Sequence, residues 1–138
     1  MAVKLFFEIE GGDFTQAGKA SSKIKKVLKQ LGPDAKTIKK VVVAVYEAEV
    51  NVVAHAYHGE VLAEIDERGI TVTVKDRGPG IEDIDKAMEI GFSTATKEVR
   101  EMGFGAGMGL SNIKKNTDEL EITSTVGEGT TVIFRNFF

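Results

Sequence analysis

Residues 3–10, Val-Lys-Leu-Phe-Phe-Glu-Ile-Glu, mix β-forming side chains with charges and read as a strand, which Gly11-Gly12 breaks. The apolar spacing then lengthens. Phe14, Ala17, Ile24, Val27, Leu28 and Leu31 recur at helical intervals with lysines between them, and predict a helix over roughly 14–31 with Asp13 as its N-cap. Gly32-Pro33 ends that helix, and Pro33-Asp34 opens a second that runs to about residue 57. Its centre, residues 41–54, is valine-rich enough to compete as a strand; length and the Gly-Pro punctuation upstream favour helix. His58-Gly59 reads as a turn. Residues 61–66 and 70–76 read as antiparallel partners around Glu67-Arg68-Gly69. Asp76 to Gly80 is a tight loop, 83–90 a short helix, and 91–109 a glycine-rich, aperiodic mobile loop. Leu110 to Lys115 returns to helix, and 120–125 with 130–136 close as a hairpin around Gly127-Glu128-Gly129.

The order β-α-α-β-β-(α)-loop-α-β-β places consecutive strands as hairpin partners and leaves the helices to pack on one face. The expected fold is α+β: a two-layer α/β sandwich with a mixed, mostly antiparallel sheet and its helices on one side. At 138 residues, without repeats or linker, the chain reads as a single domain, 1–138. A net charge of −3, with both signs interspersed, argues against nucleic-acid binding driven by global charge. The chain has no cysteine, hence no disulfide or thiolate metal site. No apolar run approaches the ~18 residues of a membrane span, and the apolar start is broken too early for a signal peptide. The expected location is cytoplasmic, away from the membrane.

Four groups of residues carry candidate chemistry. Glu47 and Asn51 stand at i and i+4 of the second predicted helix, on one face, with His55 continuing the stripe. Around them, 11 of the 14 residues from 41 to 54 are Val, Ala or Tyr, so that helix is buried on most sides and its polar groups need partners. An amide oxygen at Asn51 suits a hard divalent cation such as Mg²⁺, and a carboxylate at Glu47 suits a general base. The plainer reading is a solvent-facing stripe. Glu49 lies on a different face and reads as structural or exposed, and His55 as a hydrogen-bonded structural histidine. Asp76 closes a strand and is followed by Gly78 and Gly80. A carboxylate fixed at such a bend accepts a hydrogen bond from the 6-amino group of adenine, whereas guanine would offer it an acceptor. The alternative is an ordinary Pro-Gly turn.

Gly103, Gly105, Gly107 and Gly109 alternate before Leu110 opens a helix. Such a run of exposed N–H groups, ending at a helix N-terminus, suits a triphosphate. It lacks the Gly-Lys-Ser/Thr of a P-loop, and no strand precedes it as a dinucleotide fold would require. Gly127-Glu128-Gly129-Thr130-Thr131 is a hairpin turn followed by hydroxyls, with Thr130 a candidate nucleotide contact.

In this order the four motifs resemble the GHKL ATPase superfamily, which includes gyrase, a chaperone family, histidine kinases and MutL. Glu47-x-x-x-Asn51 resembles its N box, Asp76-x-Gly78-x-Gly80 its G1 box, Gly103 to Leu110 its G2 box, and Gly129-Thr130 its last motif. The resemblance spans residues 3 to 136. It implies a Bergerat-type ATP-binding fold. The compact lid, the Gly91-Phe92-Ser93-Thr94 segment, and the lack of an upstream phosphoacceptor hairpin or a transducer domain are most similar to the anti-sigma-factor serine/threonine kinases of the switch type. The resemblance implies ATP and Mg²⁺ as cofactors and a small STAS-domain, anti-anti-sigma-like protein as phosphoryl acceptor. Glu47 would be the general base and Asn51 the Mg²⁺ ligand. Asp76 would hold the adenine amine, and Thr130 would support it. Gly78, Gly80, Gly103, Gly105, Gly107, Gly109 and Leu110 would shape the pocket and phosphate cradle. Lys97 and Arg100 are candidate lid cations, against the plainer reading of solvated charges. Two alternatives stand beside the kinase: an ATP-gated anti-sigma factor that binds a sigma factor directly, and a histidine-kinase-like catalytic module acting in trans. Related kinases are often dimers, and residues 3–10 offer a strand edge for a homodimer.

Overall fold

The structure, a computed structural model, describes residues 2–88 and 109–138. Strand β1 (Val3–Glu10) is followed by a 3-10 turn at Phe14–Gln16 and by helices α1 (Lys19–Leu31) and α2 (Ala35–His55). Then come β2 (His58–Ile65), β3 (Gly69–Arg77), the short α3 (Ile84–Ala87), α4 (Gly109–Lys115), β4 (Glu119–Thr125) and β5 (Gly129–Phe137). The strands form one sheet in the order β1-β2-β3-β5-β4. Every pairing among the described residues is antiparallel, so the sheet is not mixed.

Strand alternation puts Ile9, Val61, Ala63, Ile65, Ile70, Val72, Val74, Val132 and Phe134 on one face, all buried. α2 lies on that face. It touches β1, β2, β3 and β5, and both α1 and α4 pack against it, which makes it the middle of the helix layer. Its Val41, Ala44, Val45, Ala48, Val52 and Val53 meet the strand residues, with Ile24 and Leu28 of α1 and Ile113 of α4, in one core. The valine run of 41–54 is therefore helical because its period of burial suits a helix between a sheet and two neighbours. The opposite face of the sheet, carrying Lys4, Phe6, Glu8 and Glu10 on β1, is open to solvent.

The start of the first helix differs from the expectation. Asp13 does accept a hydrogen bond from the Thr15 N–H, but it caps only the 3-10 turn. Gly18, with φ of 100° and ψ of −12°, then redirects the chain, and α1 begins at Lys19. Its cap comes from far away in sequence. Glu49 of α2 is fully buried, and its two carboxylate oxygens accept the N–H groups of Gly18 at 3.0 Å, Ala20 at 3.1 Å and Ser21 at 2.9 Å. These are donors that no residue within α1 can satisfy. Burial pushes the Glu49 carboxyl above the ordinary glutamate value, and the donors from Ser21, Ala20 and Gly18 pull against it. Of the two readings of Glu49, the structural one holds.

Other ends agree more closely. Gly32, left-handed at φ 84°, closes α1, and the Asp34 side chain caps α2 through the Lys36 N–H. α2 stops at His55, two residues short of the expected end, because Ala56 turns extended and the Tyr57 N–H is taken by the Arg77 carbonyl. His58 and Gly59, expected as a turn, already belong to β2, paired with Glu10 and Ile9.

Replacing Glu49 by Ala leaves three backbone donors without their acceptor, two of them buried. It is expected to destabilise the protein by about 2–4 kcal/mol. Urea unfolding should show a lowered midpoint at unchanged slope, with Glu49→Gln less affected because its carbonyl oxygen keeps part of the cap.

Candidate functional site

Glu47, Asn51 and His55 stand one above another on α2, and all three are half-buried. Burial pushes the Glu47 carboxyl above the ordinary glutamate value. The Asn112 side chain opposes it by donating from Nδ2 to Glu47 Oε1 at 3.3 Å. Burial holds His55 below the ordinary histidine value, so its imidazole is neutral near pH 7.

Asn51 makes no side-chain hydrogen bond among the described residues. It faces the first residue of α4: a β-carbon added to Gly109 would lie 2.8 Å from Asn51 Oδ1 and 3.2 Å from its Nδ2. With Gly109 against Asn51 and Asn112 against Glu47, α4 runs antiparallel along α2.

Asp76 comes from β3, opposite Gly59 of β2. Its Oδ1 accepts the Thr130 N–H of β5 at 3.0 Å, and its Oδ2 has no donor among the described residues. Burial raises this carboxyl above the ordinary aspartate value, with the Thr130 N–H pulling it back. The loop that follows is threaded between the end of α2 and the β4–β5 turn. Gly78 is buried where a β-carbon would lie 3.0 Å from the Ala56 Cα, and it donates its N–H to the Glu128 carbonyl at 3.2 Å. Gly80 sits at φ 76°, a conformation that suits glycine, with the Thr125 carbonyl only 2.5 Å from where a β-carbon would stand. The Ser124 hydroxyl accepts the Ile81 N–H at 2.8 Å and lies 2.9 Å from the Thr130 hydroxyl, which it ties to the same loop.

The structure thus collects Glu47, Asn51 and Gly109 along α2, and Asp76, Gly78, Gly80 and Thr130 at the sheet end beside the α2 C-terminus. Leu110 packs against the hydrophobic core. Gly103, Gly105 and Gly107, the lid candidates Lys97 and Arg100, and Gly91-Phe92-Ser93-Thr94 lie outside the described residues. Two polar residues of the site escaped the sequence reading. Asn112 and Ser124 act on partners 65 and 43 residues away; the only local signal for Asn112 was its place, with Ser111, in the first turn of the helix after the glycine run, and Ser124, between two threonines, offered none.

The sequence profile of the histidine kinase-like ATPase domain matches residues 12–136. The chain belongs to the histidine kinase-like ATPase family. Among its relatives, the anti-sigma F factor of Caldanaerobacter subterraneus subsp. tengcongensis is 41% identical over 108 residues, which cover 75% of this chain and 72% of the relative. The serine/threonine-protein kinase RsbT of Bacillus subtilis is 34% identical over 110 residues, 77% of each chain. The anti-sigma F factor of Clostridium acetobutylicum is 30% identical over an alignment that covers 100% of this chain and 93% of the relative. This GHKL kinase-like ATPase therefore stands with the anti-sigma-factor kinases, as the motifs implied.

The donor set of the ATPase domain fits Mg²⁺ and adenine. The Asn51 amide is uncommitted among the described residues, and an amide oxygen is a ligand for a hard cation. Asp76 has one carboxylate oxygen without a donor among the described residues, an acceptor that an amine would suit, while the other is occupied by Thr130. That occupancy makes Asp76→Asn informative. The Thr130 N–H would claim the amide oxygen and turn the NH₂ toward the adenine amine, donor against donor. ATP affinity measured by calorimetry is expected to fall about tenfold or more. Gly109→Ala would press on Asn51 and should weaken ATP binding most when Mg²⁺ is present.

Proposed function

We propose that this protein is an ATP-dependent serine/threonine protein kinase that phosphorylates a STAS-domain, anti-anti-sigma-like protein in a sigma-factor partner-switching pathway. The observation that carries the reading is the pairing of Glu47 with Asn51 on α2. A half-buried carboxylate stands one helical turn from an uncommitted amide, with the helix after the glycine run laid against both. The relatives named serine/threonine-protein kinase and anti-sigma F factor support the same function class.

In this reading Asn51 holds Mg²⁺, which neutralises phosphate charge, and Asp76 with Thr130 receives the adenine end of ATP. Glu47 accepts the proton of the acceptor hydroxyl as that oxygen bonds to the γ-phosphorus. The bond from the γ-phosphorus to the bridging oxygen breaks, and ADP leaves. Desolvation suits Glu47 to this work, because a base whose carboxyl titrates above the ordinary glutamate value binds the proton more strongly.

A second reading, an ATP-gated anti-sigma factor that binds a sigma factor directly, is favoured by the names of the anti-sigma F relatives. The two are separable, since only the kinase needs Glu47. β1 is an edge strand of the sheet, and its Phe6 is 56% exposed on the open face, which supports pairing with a second copy there.

Glu47→Ala should bind Mg·ATP with wild-type affinity and transfer phosphate to the STAS-domain protein at least 100-fold more slowly, the range of a lost general base. Equal loss of binding and transfer, or undiminished transfer, would remove the base assignment, and absence of transfer by the wild-type protein would leave direct sigma binding as the reading. The pH profile of transfer should fall on its acid side as Glu47 becomes protonated. That limb should lie above the ordinary glutamate value, because burial raises the carboxyl.

A further inference from the structure

We propose that Asn112 is a positioning residue for Glu47, so that α4 sets the proton-accepting carboxylate and the Mg²⁺ ligand in one register. The inference rests on the reading of Glu47 as base. Its own support is geometric. α4 meets α2 at two places one turn apart on each helix, Gly109 on Asn51 and Asn112 on Glu47. One short helix therefore touches both members of the Glu47-x-x-x-Asn51 pair.

α4 is built to hold that position. Ile113 is fully buried and Ser111 nearly so, which places Asn112 between two residues anchored in the core. Beyond it, the Asn112 carbonyl accepts both the backbone N–H of Asn116, at 3.2 Å, and its side-chain amide, at 2.8 Å; the Thr117 hydroxyl donates to the Ile113 carbonyl at 2.9 Å. The backbone at 112 and 113 is thus tied to the residues that follow α4. Glu47, by contrast, is a long side chain whose carboxylate has Asn112 as its hydrogen-bond partner among the described residues. Left untethered, it would spread over several rotamers and reach the acceptor hydroxyl in only a fraction of them.

The residue type also matters. An ionised carboxylate only accepts, so it takes the NH₂ end of the asparagine. That donor is neutral. It orients the base without the opposite charge that would strip it of basicity, as a lysine at this place would. The two cations of α4, Lys114 and Lys115, are exposed. Tyr46, Glu49 and His55, the other titratable groups of this part of α2, are set apart from the Glu47 carboxylate, with the exposed Tyr46 ring lying beside Gly18. Glu49 turns to α1, and His55 stands two turns further along the helix. Burial and the Asn112 amide are the influences on the Glu47 carboxyl.

The test uses the full chain with Asn112→Leu, which keeps the volume and removes the donor, Asn112→Asp, which faces Glu47 with a like charge, and Asn112→Gln, which restores a donor on a longer arm. Two quantities are read: the titration of the Glu47 side-chain carboxyl by ¹³C NMR, assigned with Glu47→Gln, and the turnover of Mg·ATP as ADP release with its pH profile. Asn112→Leu is expected to raise the pH at which Glu47 titrates, to move the acid limb of turnover the same way, and to lower kcat about tenfold at unchanged ATP affinity. Asn112→Asp should go further in the same direction, and Asn112→Gln should recover part of both. An unchanged Glu47 titration in Asn112→Leu and Asn112→Asp would overturn the proposal. The NMR readout needs no activity, so it judges Asn112 even if Glu47→Gln retains full turnover, an outcome that would sink the base reading instead.

Discussion

The packing of α2 into the middle of the helix layer is the constraint on which the site depends. It is held by the sheet below and by α1 and α4 on its flanks, and most of its surface is apolar. Within residues 41–54, three polar residues interrupt that surface at alternate positions, 47, 49 and 51. A helix turns about 100° per residue, so Glu49 points nearly opposite to Glu47 and Asn51, which share a face. The chain uses both directions. Glu49 is driven into the α1 interface, where it satisfies three orphan amides and fixes the α1 start. Glu47 and Asn51 face α4. One helix phase separates a structural carboxylate from a chemical one only two residues away.

Half-burial is the common electrostatic theme of the site. Glu47 and Asp76 are both raised by desolvation, and each receives one neutral hydrogen-bond donor that partly offsets it: the Asn112 amide for Glu47 and the Thr130 backbone for Asp76. Neither is matched by a salt bridge among the described residues. A paired cation would tie up each carboxylate in its resting state. A neutral donor fixes its orientation and leaves the remaining lone pairs for a ligand or a proton. The glycines around Asp76 serve the same placement. Gly78 and Gly80 permit the loop to lie against α2 and the β4–β5 turn, which brings two strand ends into hydrogen-bonding distance.

Much of this architecture was legible in the sequence. Apolar periodicity, Gly32, Asp34 and the turn at 127–129 determined the succession of helices and strands, because each depends on residues within a turn or a pleat of one another. Spacing alone put Glu47 beside Asn51, and the strand-ending Asp76 before its two glycines. Tertiary structure decided the rest. Gly18 opens α1 because a glutamate 31 residues away supplies the cap, so the local signal at Asp13 described only a 3-10 turn. His58 and Gly59 became strand because Glu10 and Ile9 were there to pair with them. The sheet is antiparallel throughout its described pairings because β5 inserts between β3 and β4, a choice made by strand packing. Asn112 and Ser124 acquired their roles in the same way. Short-range patterns record which face a residue shows, whereas the partner waiting on that face is set by how distant elements dock, and no local spacing carries that information.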